Sequence, residues 1–151
     1  METIIAYTDG GSRGNPGPSG IGVFVTDAKG KVLKKISKYL GTQTNNFAEY
    51  EAVIMALEEI KKLFGAAKLK NIKIEIRSDS LLVVSQLSGE YQIKEPTLFP
   101  QFIKIWNMRV KDIPNISFLH IPREKNPEAD KLANEAMDSG VKGPRKMEGI
   151  W

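Results

Sequence analysis

Apolar residues recur along this chain first at the spacing of strands and later at the spacing of helices. Residues 3–8, TIIAYT, are β-branched and aromatic and predict a buried strand ending at Asp9. The glycine-rich stretch GGSRGNPGPSG follows, and IGVFVTD (21–27) predicts a second strand. Ala28-Lys29-Gly30 then predicts a hairpin turn into KVLKKISKYL (31–40), a third strand with one polar face. Beyond GTQTNN the period changes. Tyr50, Val53, Ile54, Leu57 and Ile60 fall on one face of a helix running from about Phe47 to Phe64, with Gly65 as its stop.

The second half alternates the two patterns. KIEI (73–76) predicts a strand that stops at Ser78-Asp79, and LLVVSQL (81–87) the helix after it. LFPQFIKIWNMRV (98–110) predicts another helix, interrupted near its start by Pro100, and NISFLHI (115–121) a fifth strand. Asn126-Pro127 reads as a capped helix start, and Ala129, Leu132, Ala133, Ala136 and Met137 carry that helix to Gly140. The tail VKGPRKMEGIW has no period and is expected to be irregular. Three strands joined by hairpins, then helix, strand, helices, strand and helix, imply an α/β fold. It should be one five-stranded mixed sheet, three strands antiparallel and two parallel, with helices on both faces.

Length and composition narrow the class. At 151 residues the chain suits one domain with a real core, expected over 1–140, with 141–151 as the tail. Hydrophobic residues make up 41% and charged residues 26%, values of an ordinary water-soluble protein. No apolar run approaches the roughly 18 residues of a membrane span, and METIIAYT lacks the basic flank and cleavage site of a secretory signal. There is no cysteine, hence no disulfide framework and no thiolate metal site; a cytoplasmic location fits. The net charge of +4 permits contact with phosphate without requiring it.

Four acids stand where apolar residues belong. Asp9 and Asp79 close two strands, and ligands of open α/β sheets gather at the carboxyl ends of parallel strands. Glu49 shares a helical stripe with Val53, Ala56 and Ile60, whereas Glu51, Glu58 and Glu59 can face solvent. Asp130 lies one turn before Ala133 on the inner edge of the last helix. Each acid alone has a bland reading as a turn former, a cap, an ion pair or a first-turn acid favoured by the helix dipole. Together they ask for a shared cation, because burying unpaired carboxylates is costly. Like charges ~4 Å apart repel by about 4 kcal/mol at an effective dielectric of about 20. Oxygen ligands without histidine or thiol select Mg²⁺, with Mn²⁺ as a substitute. Two such ions ~3.5–4 Å apart would clamp one phosphate.

The stretches YTDGGSRGNPGPSGIG, TNNFAEYEAVIMALE, IRSDSLLVVSQL and PREKNPEADKLANEA, in this order, resemble type 1 ribonuclease H over about residues 3 to 139. The resemblance implies an endonuclease that cuts the RNA strand of RNA–DNA hybrids, leaving 3′-hydroxyl and 5′-phosphate ends. It puts the catalytic, metal-binding acids at Asp9, Glu49, Asp79 and Asp130. It puts contacts to RNA hydroxyls and backbone at Gly10, Gly11, Ser12, Arg13, Gly14, Asn15, Asn45 and Asn46. The glycines are expected to let backbone approach the nucleic acid closely, and Asn45-Asn46 could also cap the helix. A hybrid-binding monomer with no membrane attachment is expected.

Two departures qualify the match. The basic protrusion of many bacterial members looks absent, since Lys94 and Lys104 are offset by Glu90 and Glu95; the chain resembles the shorter archaeal and mycobacterial-type members. Family members with a long loop before the last acid use a loop histidine in proton transfer or product release, and the one histidine here, His120, ten residues before Asp130, invites that match. Its alternation with Ile116 and Phe118 marks it instead as a strand residue, and Arg123 in a shortened loop is the candidate phosphate contact. Competing readings are a nuclease or integrase of the same fold, including one cutting double-stranded RNA, and a hybrid-binding module without chemistry. The presence of all four acids argues against the last.

Overall fold

The computed structural model describes residues 1–141. Five strands form one sheet: β1 (Glu2–Ser12), β2 (Gly17–Asp27), β3 (Val32–Gln43), β4 (Ile72–Ser78) and β5 (Ile116–His120). Their order across the sheet is β3-β2-β1-β4-β5. Pairing is antiparallel between β1 and β2 and between β2 and β3, and parallel between β1 and β4 and between β4 and β5. The helices are α1 (Asn45–Phe64), α2 (Ala66–Leu69), α3 (Leu81–Leu87), α4 (Phe99–Lys111) and α5 (Pro127–Val141). The expected five-stranded mixed sheet is thus present.

The alternation of each strand decides what it buries. Ile4, Ala6, Val23, Val25, Ile74 and Ile76 turn to one face and meet Val53, Leu57 and Ile60 of α1, Val83 of α3 and Ile105 of α4 in one apolar cluster. On the other face α5 crosses β1, β2 and β3, where the Ser37 hydroxyl donates to the Leu132 carbonyl at 2.7 Å. Tyr50 is fully buried in the first cluster, and its hydroxyl donates to Gln86 Oε1 at 2.6 Å.

Several expectations shift. β1 does not stop at Asp9: it pairs with β2 through Ser12, so most of the glycine-rich stretch is strand and the turn occupies only 13–16. Asp9 still lies at a boundary, one residue past Thr8↔Ser78, where parallel pairing with β4 ends. α1 begins at Asn45, and its cap is Thr44, whose hydroxyl accepts from the Phe47 N–H at 3.2 Å; Asn45 and Asn46 are helical. Pro100 sits in the first turn of α4 after a 3₁₀ turn and does not interrupt it, because that position needs no N–H. α2 is an extra short helix. α5 passes Gly140 and includes Val141; the rest of the expected tail, 142–151, lies outside the described residues.

The glycines have a structural cause that composition does not reveal. A Cβ on Gly10 would stand 2.3 Å from the Ala48 carbonyl carbon and oxygen and 2.6 Å from the Glu49 nitrogen. One on Gly22 would meet the Ala129 carbonyl oxygen at 2.1 Å and the Ala133 nitrogen at 2.7 Å. These two glycines admit the backbones of α1 and α5, so close approach of protein to protein requires them. Gly22→Ala should therefore destabilise the fold by at least ~1–3 kcal/mol through overpacking against rigid backbone. Gly11→Ala should cost far less, since its Cβ would meet only the flexible end of Met137 at 3.2 Å. Urea midpoints of the two variants check this; equal losses would place the requirement in strand conformation instead.

Candidate active site

Each acid reaches the groove by a different element. Asp9 leaves β1 just past the parallel pairing and is buried, 8% exposed. Asp79 follows the last residue of β4, in the link to α3, where Ser80 caps the helix by accepting from the Val83 N–H at 3.3 Å. Glu49 leaves the first turns of α1 above Gly10, whose N–H donates to its Oε1 at 3.1 Å. One carboxylate oxygen from each of Asp9, Glu49 and Asp79 lies within 4.8 Å of the others. Asp130, early in α5, lines the same groove. All four sequence-selected acids converge, three as a tight cluster and the fourth at its side. Glu58 and Glu59 lie elsewhere and meet Lys104, Lys34 and Lys62.

Crowding these acids has an electrostatic cost. Burial, followed by the charges of Asp79 and Asp130, pushes Asp9 up to about 7, while Arg123 pulls weakly the other way. Glu49 is raised well above the ordinary carboxyl range, by burial first and then by Asp9 and Asp79, against the Gly10 hydrogen bond and Arg123. The donor set is carboxylate throughout, with no thiol in the chain and its single histidine in β5. Such a set fits a hard divalent cation, whose charge would relieve this repulsion. Asp9, Glu49 and Asp79 would hold it, and Asp130 lines the same groove.

Asn126 stands at the start of α5 as the sequence predicts, its carbonyl accepting from the Asp130 N–H at 3.2 Å, but its side chain has a different role. It is fully buried, and its amide does not turn back as a helix cap. Its Nδ2 donates to the Thr8 carbonyl at 3.0 Å and lies 3.5 Å from Asp79 Oδ2, and its Oδ1 has no protein partner among the described residues. One amide thereby ties the end of the β1–β4 pairing to an acid of the site. Only its place four residues before Asp130 hints at this in the sequence.

The expected substrate contacts border the same groove. The Asn45 N–H donates to Asn15 Oδ1 at 3.0 Å, and the Ser12 N–H to Asn45 Oδ1 at 2.8 Å. The Ser12 hydroxyl reaches the carbonyls of Gln43 and Gly14. Asn46 Nδ2 is held by Glu95 Oε1 at 3.0 Å. Gly10, Gly11 and the exposed Arg123, in a 3₁₀ turn before α5, line the groove as well. Gly14 has φ +103°, a conformation that suits glycine, in the turn itself. Arg13 lines the groove too, with its guanidinium held by Asp138 and Asn134 of α5. His120 ends β5 opposite Ser78 and is exposed, the strand position expected of it.

This sheet order, with carboxylates gathered where β1 and β4 cease to pair, defines a ribonuclease H-like protein. The chain matches the family described as Reverse transcriptase-like over residues 7–136. It is 39% identical over 135 residues to ribonuclease HI of Halobacterium salinarum, covering 89% of this chain and 64% of that one. A bifunctional protein of Mycobacterium tuberculosis is 37% identical over 139 residues, 91% of this chain, which spans only 36% of that protein's length. A crystal structure of LC11-RNase H1, isolated from compost by a metagenomic approach, in complex with RNA/DNA hybrid superposes with a TM-score of 0.87. It has 54% identity over 91% of this chain and 99% of that one. The chain belongs to the ribonuclease H family, in its type 1 branch.

The raised pKa of Asp9 has a defined pH consequence. Its folded value, about 7, lies above its ordinary 3.8, so the fold favours the protonated acid. That contribution to stability is complete below about pH 3.8 and is lost as pH rises through about 7. In chelator, the wild type should lose stability relative to Asp9→Asn across this window. Urea midpoints of both proteins at about pH 5 and about pH 8 measure it; parallel curves would show that Asp9 is ionised in the cation-free fold.

Proposed function

We propose that this chain hydrolyses the RNA strand of RNA–DNA hybrids, leaving 3′-hydroxyl and 5′-phosphate ends. Two Mg²⁺ ions, for which Mn²⁺ can substitute, are held by Asp9, Glu49, Asp79 and Asp130. The catalytic unit is residues 1–140, acting as a cytoplasmic monomer; among the described residues no helix is long and apolar enough to cross a membrane. The reading rests on the three carboxylates within 4.8 Å of one another, beside a turn that offers polar groups to a nucleic-acid strand.

When bound, the cations supply an activated water for attack on phosphorus and charge that stabilises the departing 3′-oxygen. The protein's part is positioning. The Gly10 N–H orients Glu49, and Asn126 orients Asp79. Asn15 and Asn45 have their Oδ1 atoms occupied by backbone N–H groups. Their Nδ2 donors, without a protein partner among the described residues, are left for the 2′-hydroxyl oxygens that distinguish RNA from DNA. Arg123, exposed on the groove, meets a phosphate.

Cleavage of labelled hybrid, double-stranded RNA and double-stranded DNA at saturating Mg²⁺ tests the reading. The hybrid should be cut fastest; faster cutting of double-stranded RNA would replace this substrate assignment. Asp9→Asn and Glu49→Gln should each lower kcat by about 100-fold or more, given the several kcal/mol that a correctly held cation contributes. Glu58→Gln should not, because that carboxylate pairs with Lys104 away from the groove. Equal effects at 49 and 58 would dismantle the site.

His120 and Arg123 provide a separate check. His120→Phe should keep most activity, since the residue completes a strand. Arg123→Ala should weaken turnover by losing a phosphate contact. A crippled His120→Phe beside an intact Arg123→Ala would return the histidine to proton transfer.

A further inference from the structure

The β1–β2 turn carries much of the proposed RNA-facing surface, yet it is only four residues long and is held from two sides. On one side, Asn15 and Ser12 bond to Asn45 at the start of α1. On the other side stands Arg13. Its Nη1 donates to Asp138 Oδ1 at 2.8 Å and its Nη2 to Asn134 Oδ1 at 3.0 Å. Asp130, Asn134 and Asp138 follow one another at intervals of four, a single stripe of α5. The stripe is internally connected, because Asn134 Nδ2 donates to the Asp130 carbonyl at 2.9 Å. Its near end is a candidate metal ligand and its far end grips the turn.

We propose that Asp138 and Asn134 are positioning residues for substrate binding, acting through Arg13 to fix the β1–β2 turn relative to α5; this rests on the hybrid-cleaving reading above. Each nitrogen at the head of the Arg13 guanidinium donates one N–H to α5, so its planar fork braces the turn. The turn itself has little slack. The Arg13 N–H donates to the Pro18 carbonyl at 2.8 Å, and a Cβ on Gly17 would fall 2.2 Å from the Arg13 carbonyl oxygen. Movement of Arg13 is therefore transmitted to Ser12 on one side and to Asn15 on the other. The brace is half-exposed, which makes it a poor stabiliser of the fold but a sufficient selector among turn positions.

The test is steady-state cleavage of labelled hybrid by the whole chain at saturating Mg²⁺, with KM and kcat separated. Asp138→Ala should raise KM by roughly fivefold, the scale of one exposed charge-assisted pair, with kcat and the thermal midpoint unchanged. Asn134→Ala should move KM in the same direction. Arg13→Ala should match Asp138→Ala, and the double variant should be no worse than either single one, since all three break one brace. Glu135→Ala removes the same charge from an exposed position of the same helix and calibrates the general effect of a lost acid beside a polyanion; its KM should not rise. A fall in KM for Asp138→Ala would show that Asp138 restrains an arginine meant for phosphate, and would overturn the proposal. Additive losses at 13 and 138, or an unchanged KM, would overturn it too. If the wild type itself fails to cut hybrid, the underlying reading falls; if it cuts hybrid while Asp138→Ala behaves as wild type, only the brace does.

Discussion

Two helices lie so near the centre of the sheet that only glycine fits beneath them, and the site depends on this closeness. A Cβ on Gly10 would collide with α1 at Ala48 and Glu49, and one on Gly22 with α5 at Ala129 and Ala133. These contact points adjoin the acids that the helices deliver. Glu49 stands directly above Gly10 and bonds its N–H, and Asp130 follows the residue whose carbonyl crowds Gly22. Because Asp9 pairs with Gly22 across β1 and β2, both helices close on the strand position that carries the first acid. A side chain at either glycine would lift a helix and widen the spacing on which a shared cation depends.

That proximity places charge where a fold resists it. Asp9 and Glu49 are both driven toward the protonated form, chiefly by burial and then by their neighbours. The compensations within the protein are small: one backbone N–H on Glu49, one amide near Asp79 and the distant pull of Arg123. The core beside the site is built of apolar residues, so the electrostatic strain is confined to the groove. A ligand of opposite charge therefore serves stability as well as chemistry, and the cation-free protein is stressed at the place where the cation acts.

Much of this is legible in the sequence because it rests on periodicity. A stripe of Glu49, Val53, Ala56 and Ile60 puts an acid on the inward side of its helix, and in the fold those three apolar partners are buried. Strand alternation likewise marks β1, β2, β4 and β5, and the position of His120 on the last of them. What resists reading depends on tertiary contacts. The run of glycines resembles a loop, yet it is strand, because its composition answers to helices that arrive from elsewhere in the chain. Asn45-Asn46 resembles a cap, but Thr44, at the preceding position, accepts the capping bond. Asn126 also resembles a cap, and its amide is instead drawn across to Thr8, 118 residues earlier.

The same principle accounts for how the groove separates binding from chemistry. The acids are set by elements packed into the body of the fold: β1, the end of β4, and the two helices above the glycines. The polar groups beside them sit on and next to a four-residue turn, tied by hydrogen bonds to α1, α5 and the start of β2. Rigid elements suit groups whose spacing must match a cation within fractions of an ångström. A braced turn suits groups that must follow the contour of a strand. In this arrangement the acceptors of Asn15 and Asn45 are consumed in building the turn, which leaves their donors as its outward chemistry. Hydroxyl oxygens and phosphates are acceptors, so under the proposed function the bonds that shape the turn leave it the donors such a ligand needs.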